Sequence, residues 1–251
     1  MDIMLLGDSH GDDNFIRGAL IWAQAHGIER VLQVGDFGYW PKFDSGQRFL
    51  KACGEISIET GVDLYFLDGN HEDHDELNAL QARHPGSNFM RASKRQGAPI
   101  FIRRGATWEW EGTRFGAFGG AYSVDRGART KFHSWFPQEM PDRSKIAELG
   151  KVDVLLTHDS PVVPEPYLIS GQFVRNEESA KSQEAVYDAL MSSQPDLLIH
   201  GHWHVSWRGQ VHGATVLGLD CNYASLYASA AILDVENKTL YGIGQWEYAH
   251  E

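Results

Sequence analysis

The chain has 251 residues, two cysteines and a formal net charge of −12. An acidic balance of that size repels nucleic acid on average, which argues against a broad, non-specific DNA-binding face. With 42% hydrophobic and 22% charged residues it can bury a core, its length suits one large domain or two small ones, and Cys53 and Cys221 are too few for a disulfide framework. A reducing, cytoplasmic setting is the natural expectation. Met1-Asp2-Ile3-Met4 offers no basic run and no long apolar run, so neither a signal peptide nor a membrane span is expected.

The elements alternate from the start. Ile3 to Leu6 is an apolar run that ends in Gly7-Asp8-Ser9-His10-Gly11-Asp12, a strand opening into a polar loop. Residues i and i+2 of an extended segment share a side, so Asp8 and His10 can converge on one cation. Asp12, Asp13 or Asn14 can cap a helix carrying Phe15, Ala19, Trp22 and Ala23, closed by Gly27. Val31 to Val34 is a second strand and runs into Gly35-Asp36-Phe37-Gly38. Ser45 to Thr60 is helical, with Phe49, Leu50, Cys53 and Ile56 inward and Gly61 as the stop. Leu64 to Leu67 is a third strand, ending in Asp68-Gly69-Asn70-His71-Glu72-Asp73. Strand, polar loop and helix recur, which predicts a largely parallel, buried sheet.

The middle of the chain changes character. Ile100–Ile102, Trp108–Trp110 and Arg114–Phe118 read as antiparallel strands, with a hairpin turn at Glu111-Gly112-Thr113. A polar loop follows from Gly119 to Arg126, then an aromatic stretch from Phe132 to Pro141 in which Trp135 and Phe136 partly cover a pocket. Val152 to Leu156 is a buried strand ending in Thr157-His158-Asp159. Pro161 to Phe173 is irregular and reads as a functional loop. Ser179 to Ser192 is helical. Leu197 to Ile199 leads into His200-Gly201-His202-Trp203-His204. The tail from Val205 to Trp246 reads as short antiparallel strands with turns at Gly209, Gly213 and Asn237-Lys238. Nothing marks an inter-domain linker, so a single domain over residues 1–251 is expected.

Five strand ends thus carry metal-capable side chains: Asp8 with His10, Asp36, Asn70 with His71, His158, and His202 with His204. In a parallel sheet such ends lie along one edge, where ligands bind. Oxygen and imidazole donors without thiolate suit Mn²⁺, Fe, Zn²⁺, Ni²⁺ or Co²⁺ and argue against a structural cysteine-zinc site. These candidate ligands exceed the need of one ion. Two ions sharing a carboxylate use them economically, and a pair about 3.5–4 Å apart can hold both oxygens of a phosphoryl displacement.

The set GDSH (Gly7–His10), GDFG (Gly35–Gly38), GNHED (Gly69–Asp73), THD (Thr157–Asp159) and GHWH (Gly201–His204) resembles the calcineurin-like metallophosphoesterases, in the family's order. The resemblance implies an α/β fold, two mixed β-sheets packed as a sandwich and flanked by helices, with a di-metal centre at the strand ends. By matching position, it implies that Asp8, His10 and His204 hold one metal, that Asn70, His158 and His202 hold the other, and that Asp36 bridges both. It places His71 beside the leaving group. The chemistry expected is in-line attack on phosphorus by a metal-bridging hydroxide, with Mn²⁺ the favoured ion and His71, Asp36 and Asn70 the catalytic residues.

Other residues flank this set. Asp73 either orients His71 or caps the helix that follows, the cap being favoured. Arg126 is the candidate phosphate grip, since a guanidinium fork matches two phosphate oxygens. Tyr39, Trp40, Tyr122 and Trp203 adjoin the motif loops and are candidate walls for a nucleobase, with core packing as the alternative for each. The leading expectation is a cytoplasmic phosphodiesterase of small or cyclic nucleotides, with no extended nucleic-acid surface and no membrane. The alternatives are a phosphomonoesterase or protein phosphatase, a nuclease, and a catalytically silent scaffold.

Overall fold

The computed structural model describes residues 1–170 and 176–250. In chain order the regular elements are β1 (Asp2–Leu6), α1 (Asp13–Ala25), β2 (Arg30–Gln33), α2 (Asp44–Thr60), β3 (Asp63–Phe66), α3 (His74–Arg83), β4 (Phe89–Arg91), β5 (Ile100–Ile102), β6 (Thr107–Trp110) and β7 (Thr113–Phe118). After them come α4 (Ile146–Leu149), β8 (Val154–Thr157), α5 (Glu165–Ser170), α6 (Glu177–Ser193), β9 (Leu197–His200), β10 (Trp207–Val211), β11 (Ala214–Gly218), α7 (Leu226–Ser229), β12 (Ala230–Asp234), β13 (Thr239–Gly242) and α8 (Ile243–His250).

The strands form two mixed sheets, of order β13-β12-β1-β2-β3-β5-β4 and β10-β11-β9-β8-β7-β6. β1, β2 and β3 run parallel in the first, and β7, β8 and β9 run parallel in the second. Alternation of side chains along each strand builds the layers. Ile3 and Leu5 of β1 meet Val154 and Leu156 of β8 in the core between the sheets. Met4 and Leu6 face the other way, into a core shared with Ile16, Leu20, Phe49 and Cys53 of α1 and α2. Leu155 and Leu198 face outward against Val186 and Leu190 of α6. The sandwich flanked by helices is the architecture expected from the motifs.

Local chemistry sets the helix ends. Asp12 caps α1, its Oδ1 accepting from the N–H groups of Asn14 and Phe15 at 3.0 and 3.1 Å. Gly61 ends α2 in the left-handed conformation, at φ 72°. The parallel strands therefore all deliver their carboxyl ends to one edge, with the helices behind them.

Three expectations are corrected. Ile100–Ile102 does not join the antiparallel hairpin. It extends the first sheet, parallel to β3 and antiparallel to β4, a strand the sequence reading missed. A three-residue strand is too short for its pattern to specify a partner. The stretch from Pro161 is not irregular throughout, since Glu165–Ser170 is helical; residues 171–173 of that expectation lie outside the described residues. In the tail, Gly209 sits inside β10 beside Trp207 rather than in a turn. β11 there runs parallel to β9, and Trp246 lies in α8.

Candidate metal centre

Each motif residue leaves the end of a parallel strand, and four of them bend in an unusual way. His10, Asp36, His202 and His204 have positive φ, at 47°, 52°, 65° and 46°. Non-glycine residues rarely adopt this region, and each such residue stores on the order of 1–3 kcal/mol. Asp8 and His10 thus come together through a left-handed turn at His10 and not through an extended strand, which corrects the geometric reason given for their spacing, while His202 and His204 part into different donor groups. The strain is held by cross-links between loops. The His10 N–H donates to the Asp36 carbonyl at 2.7 Å and the Gly11 N–H to the Phe37 carbonyl at 3.0 Å.

The glycines of the motifs are explained by close approach. A Cβ at Gly201 would collide with the Asp8 carboxylate, and one at Gly69 with Asp36 and His158. Only glycine lets these strand ends and ligand side chains pack so tightly.

Two groups of donors result. Asp8, His10 and His204 offer three atoms within 4.8 Å of one another, and Asp36, His158 and His202 offer three more. In the first, His204 Nε2 lies 3.1 Å from Asp8 Oδ2 and 3.0 Å from His10 Nε2. In the second, His158 Nε2 lies 3.2 Å from Asp36 Oδ1 and 3.1 Å from Asn70 Oδ1. The other nitrogen of His158, Nδ1, sits 2.9 Å from the Val34 carbonyl and donates to it, which leaves Nε2 for a cation.

The electrostatics fit a divalent ion. Burial opposes charge on Asp36, yet His158 and then His71 hold its carboxyl well below the usual range. Burial likewise opposes charge on His158, but Asp36 and then Asp8 push it up to about 10. His204 is pushed up to about 11, by its hydrogen bonds to Asp8 and then Cys221. Burial is the leading cause that lowers His10 and His202. The carboxylates recruit protons onto the imidazoles beside them. Cations would take the place of those protons, as metal binding to such ligands requires.

His71 stands at the rim. Its N–H donates to Asp36 Oδ1 at 2.8 Å, its ring packs edge-on to His10 at 5.5 Å, and its side chain is one-third exposed. Asp73 caps α3, accepting from the Glu76 N–H at 3.1 Å, and pairs with Lys42. Asp125, which the sequence reading did not single out, lies 3.9 Å from His71 Nε2.

The flanking residues separate sharply. Trp40 lines a slot of about 330 Å³ with Phe43, Phe49, Ser134 and His10, so it adjoins the first donor group. Tyr39 does not: it is 1% exposed, stacks on Phe66 in the core, and burial pushes its hydroxyl up to about 12. Tyr122 is buried beneath the Arg126 guanidinium, 5.0 Å from its ring, and Arg126 points to solvent. Trp203 donates its Nε1–H to Asp159 at 2.9 Å and packs against Tyr167. Phe136 is fully buried between Trp40 and His74, a plug behind the slot rather than its cover.

Four further polar residues near the centre were missed. Glu72 is fully buried and accepts from the N–H groups of Gly38 and Gly69, tying two motif loops together. Burial, then Asp36, pushes its carboxyl up. Ser123, Arg129 and Glu139 form a buried network against Asn70. Glu72 stood inside the GNHED motif; the other three carry no local signal.

Residues 1–206 match a protein family described as calcineurin-like phosphoesterase. No curated protein matches the chain. Among solved structures, TT1561 of Thermus thermophilus is similar with a TM-score of 0.57 and 15% identity, over 95% of this chain and 96% of that one. A dimetal phosphatase from Danio rerio, LOC 393393, is similar with a TM-score of 0.55 and 14% identity, over 92% and 91%. At such identities the likeness is one of fold.

Proposed function

The chain belongs to the calcineurin-like phosphoesterase family, whose members are metal-dependent hydrolases of phosphoric esters, and from that premise we propose that it hydrolyses a phosphodiester in a small or cyclic nucleotide. Asp8, His10 and His204 are assigned to one divalent ion, Asn70, His158 and His202 to a second, and Asp36 to both. Mixed oxygen and imidazole donors suit Mn²⁺, Fe, Zn²⁺, Ni²⁺ or Co²⁺ alike, and Mn²⁺ is the ion we propose. Bound there, such ions would supply Lewis-acid charge and make nearby water easier to deprotonate.

The chain's own residues do the rest. Asp8 is fixed by the His202 N–H, which donates to both its oxygens at 3.2 and 3.1 Å. Asp36 is fixed by the N–H groups of Asn70 and His71, both at 2.8 Å. These bonds hold the donors rigid, so reaction costs little reorganisation. His71 gives a proton from its ring to the departing alkoxide, and its place at the rim lets it reach a leaving group from the solvent side.

The observation that carries the substrate class is the slot of about 330 Å³ beside His10, walled by Trp40 and Phe43. Its size and aromatic walls suit one nucleobase, and the net charge of −12 disfavours a polyanion. Both cysteines are free and buried, in keeping with a reducing, cytoplasmic setting. Among the described residues no helix is long and apolar enough to cross a membrane.

The test is an assay of the metal-stripped protein, reloaded with each ion in turn, against bis(p-nitrophenyl) phosphate, cyclic and linear nucleotides, a phosphomonoester and duplex DNA. Turnover of the diester and at least one cyclic nucleotide, without cleavage of duplex, is expected. Preference for the monoester, or robust duplex cleavage, would replace this reading with a phosphatase or a nuclease.

A further inference from the structure

We propose that Ser123 is a positioning residue that aims the Asn70 side-chain oxygen at the second ion, held in turn by Glu139 and Arg129; this rests on the metal-centre reading above. An asparagine is an ambiguous ligand. Its carbonyl oxygen can coordinate and its NH₂ cannot, so one flip of the amide abolishes the site. Something must fix the orientation.

The network around Ser123 does so. Asn70 Nδ2 donates to Ser123 Oγ at 3.0 Å, while Asn70 Oδ1 lies on the His158 side at 3.1 Å. Ser123 Oγ donates its only hydrogen to Glu139 Oε2 at 2.8 Å. The Ser123 N–H donates to Glu139 Oε1, also at 2.8 Å, so one carboxylate grips the residue at two points. Arg129 donates to Ser123 Oγ at 2.6 Å and to the backbone carbonyl of Asn70 at 3.3 Å. The hydroxyl thus gives one bond and accepts two, which exhausts it. With its hydrogen committed to Glu139 it has only a lone pair for Asn70, and a lone pair selects the NH₂ end of the amide. The oxygen is left for the ion.

Burial keeps this logic intact. Ser123 is fully buried, Glu139 is 1% exposed and the Arg129 side chain 9%. Water cannot supply a substitute donor, so each bond is worth more than at the surface. The three residues come from the loop after β7 and the segment beyond it, which bring none of the assigned donors. Their contact with Asn70 is the point where that segment meets the second donor group.

The experiment is a Mn²⁺ titration of metal-stripped full-length protein, resolving two binding steps. Wild type should take two ions. Ser123→Ala should keep the first step and weaken the second by about 10–100-fold, the usual cost of losing a partner that orients a ligand. Asn70→Asp has two equivalent oxygens and no wrong face, so it should recover second-ion affinity in the Ser123→Ala background by more than it changes the wild type. Glu139→Gln carries the same test should Ser123→Ala not fold. Its amide can donate to Ser123 Oγ, which frees the serine hydrogen for Asn70 and weakens the second step. Unchanged second-step affinity in Ser123→Ala or Glu139→Gln, or an equal effect of Asn70→Asp with and without Ser123, would overturn the positioning role alone. A wild type that takes one ion or none would overturn the metal-centre reading itself.

Discussion

Asp36 joins the two donor groups: its Oδ1 lies 3.2 Å from His158 Nε2, and its Oδ2 lies 3.9 Å from His10 Nδ1. No other carboxylate among the described residues has imidazole nitrogens of both groups within 4.0 Å. Asp36→Asn removes the shared negative charge and should lower affinity for both ions. Replacing one terminal ligand, such as His204→Ala, should lower affinity mainly at its own site. Metal content of the two variants after equilibration with limiting Mn²⁺ decides the matter. A smaller loss in Asp36→Asn than in His204→Ala would remove the bridging role.

His71 contacts the centre through its backbone N–H, and its ring is left at the rim. His71→Ala should therefore keep its metal content and lose turnover by roughly 10²–10⁴. The loss should shrink for nitrophenyl esters, whose leaving group needs no proton. An equal loss on good and poor leaving groups would argue against proton donation.

Trp40 is an aromatic wall of the slot that His10 also lines, and it meets Phe43 at 6.0 Å and Phe136 at 6.2 Å. Trp40→Ala should raise KM for nucleotides while leaving KM for bis(p-nitrophenyl) phosphate nearly unchanged. Stacking of one base is worth about 1–3 kcal/mol, roughly a fivefold to hundredfold effect. Parallel KM changes on both substrates would mean that the slot does not hold a base.

His74 gives the protein an acid-sensitive core. It is fully buried, and burial, followed by Arg104, lowers it from 6.5 to about 4. The unfolded chain therefore binds a proton that the folded chain refuses between those two values. Stability contributed by the neutral imidazole is complete above pH 6.5 and is lost as pH falls toward 4, by about 3 kcal/mol. In metal-free protein, His74→Gln should flatten urea-unfolding free energy across that window relative to wild type. Curves of equal slope would show that His74 is not the group responsible.

Much of the centre is legible in the sequence because every donor but His158 follows an apolar run and a glycine. Gly35-Asp36, Gly69-Asn70 and Gly201-His202 all mark a buried strand that stops where packing is too close for a side chain. The network of Ser123, Arg129 and Glu139 is not legible, since polar residues that pair across 16 or 53 positions leave no periodic trace. Tyr39 and Trp40 show the same limit at closest range. They are neighbours in the chain, but one points into the core and the other into the slot. Arg126 was the basic residue nearest the loop motif, yet Arg129, a turn further on, is the one drawn inward by Glu139.

The central claim is that two donor groups sharing Asp36 hold two ions. The most direct measurement is elemental analysis of the full chain after saturation with Mn²⁺ and removal of free metal. Close to two ions per chain is the expected result. Stoichiometry that stays at one or none under saturating metal would contradict the account.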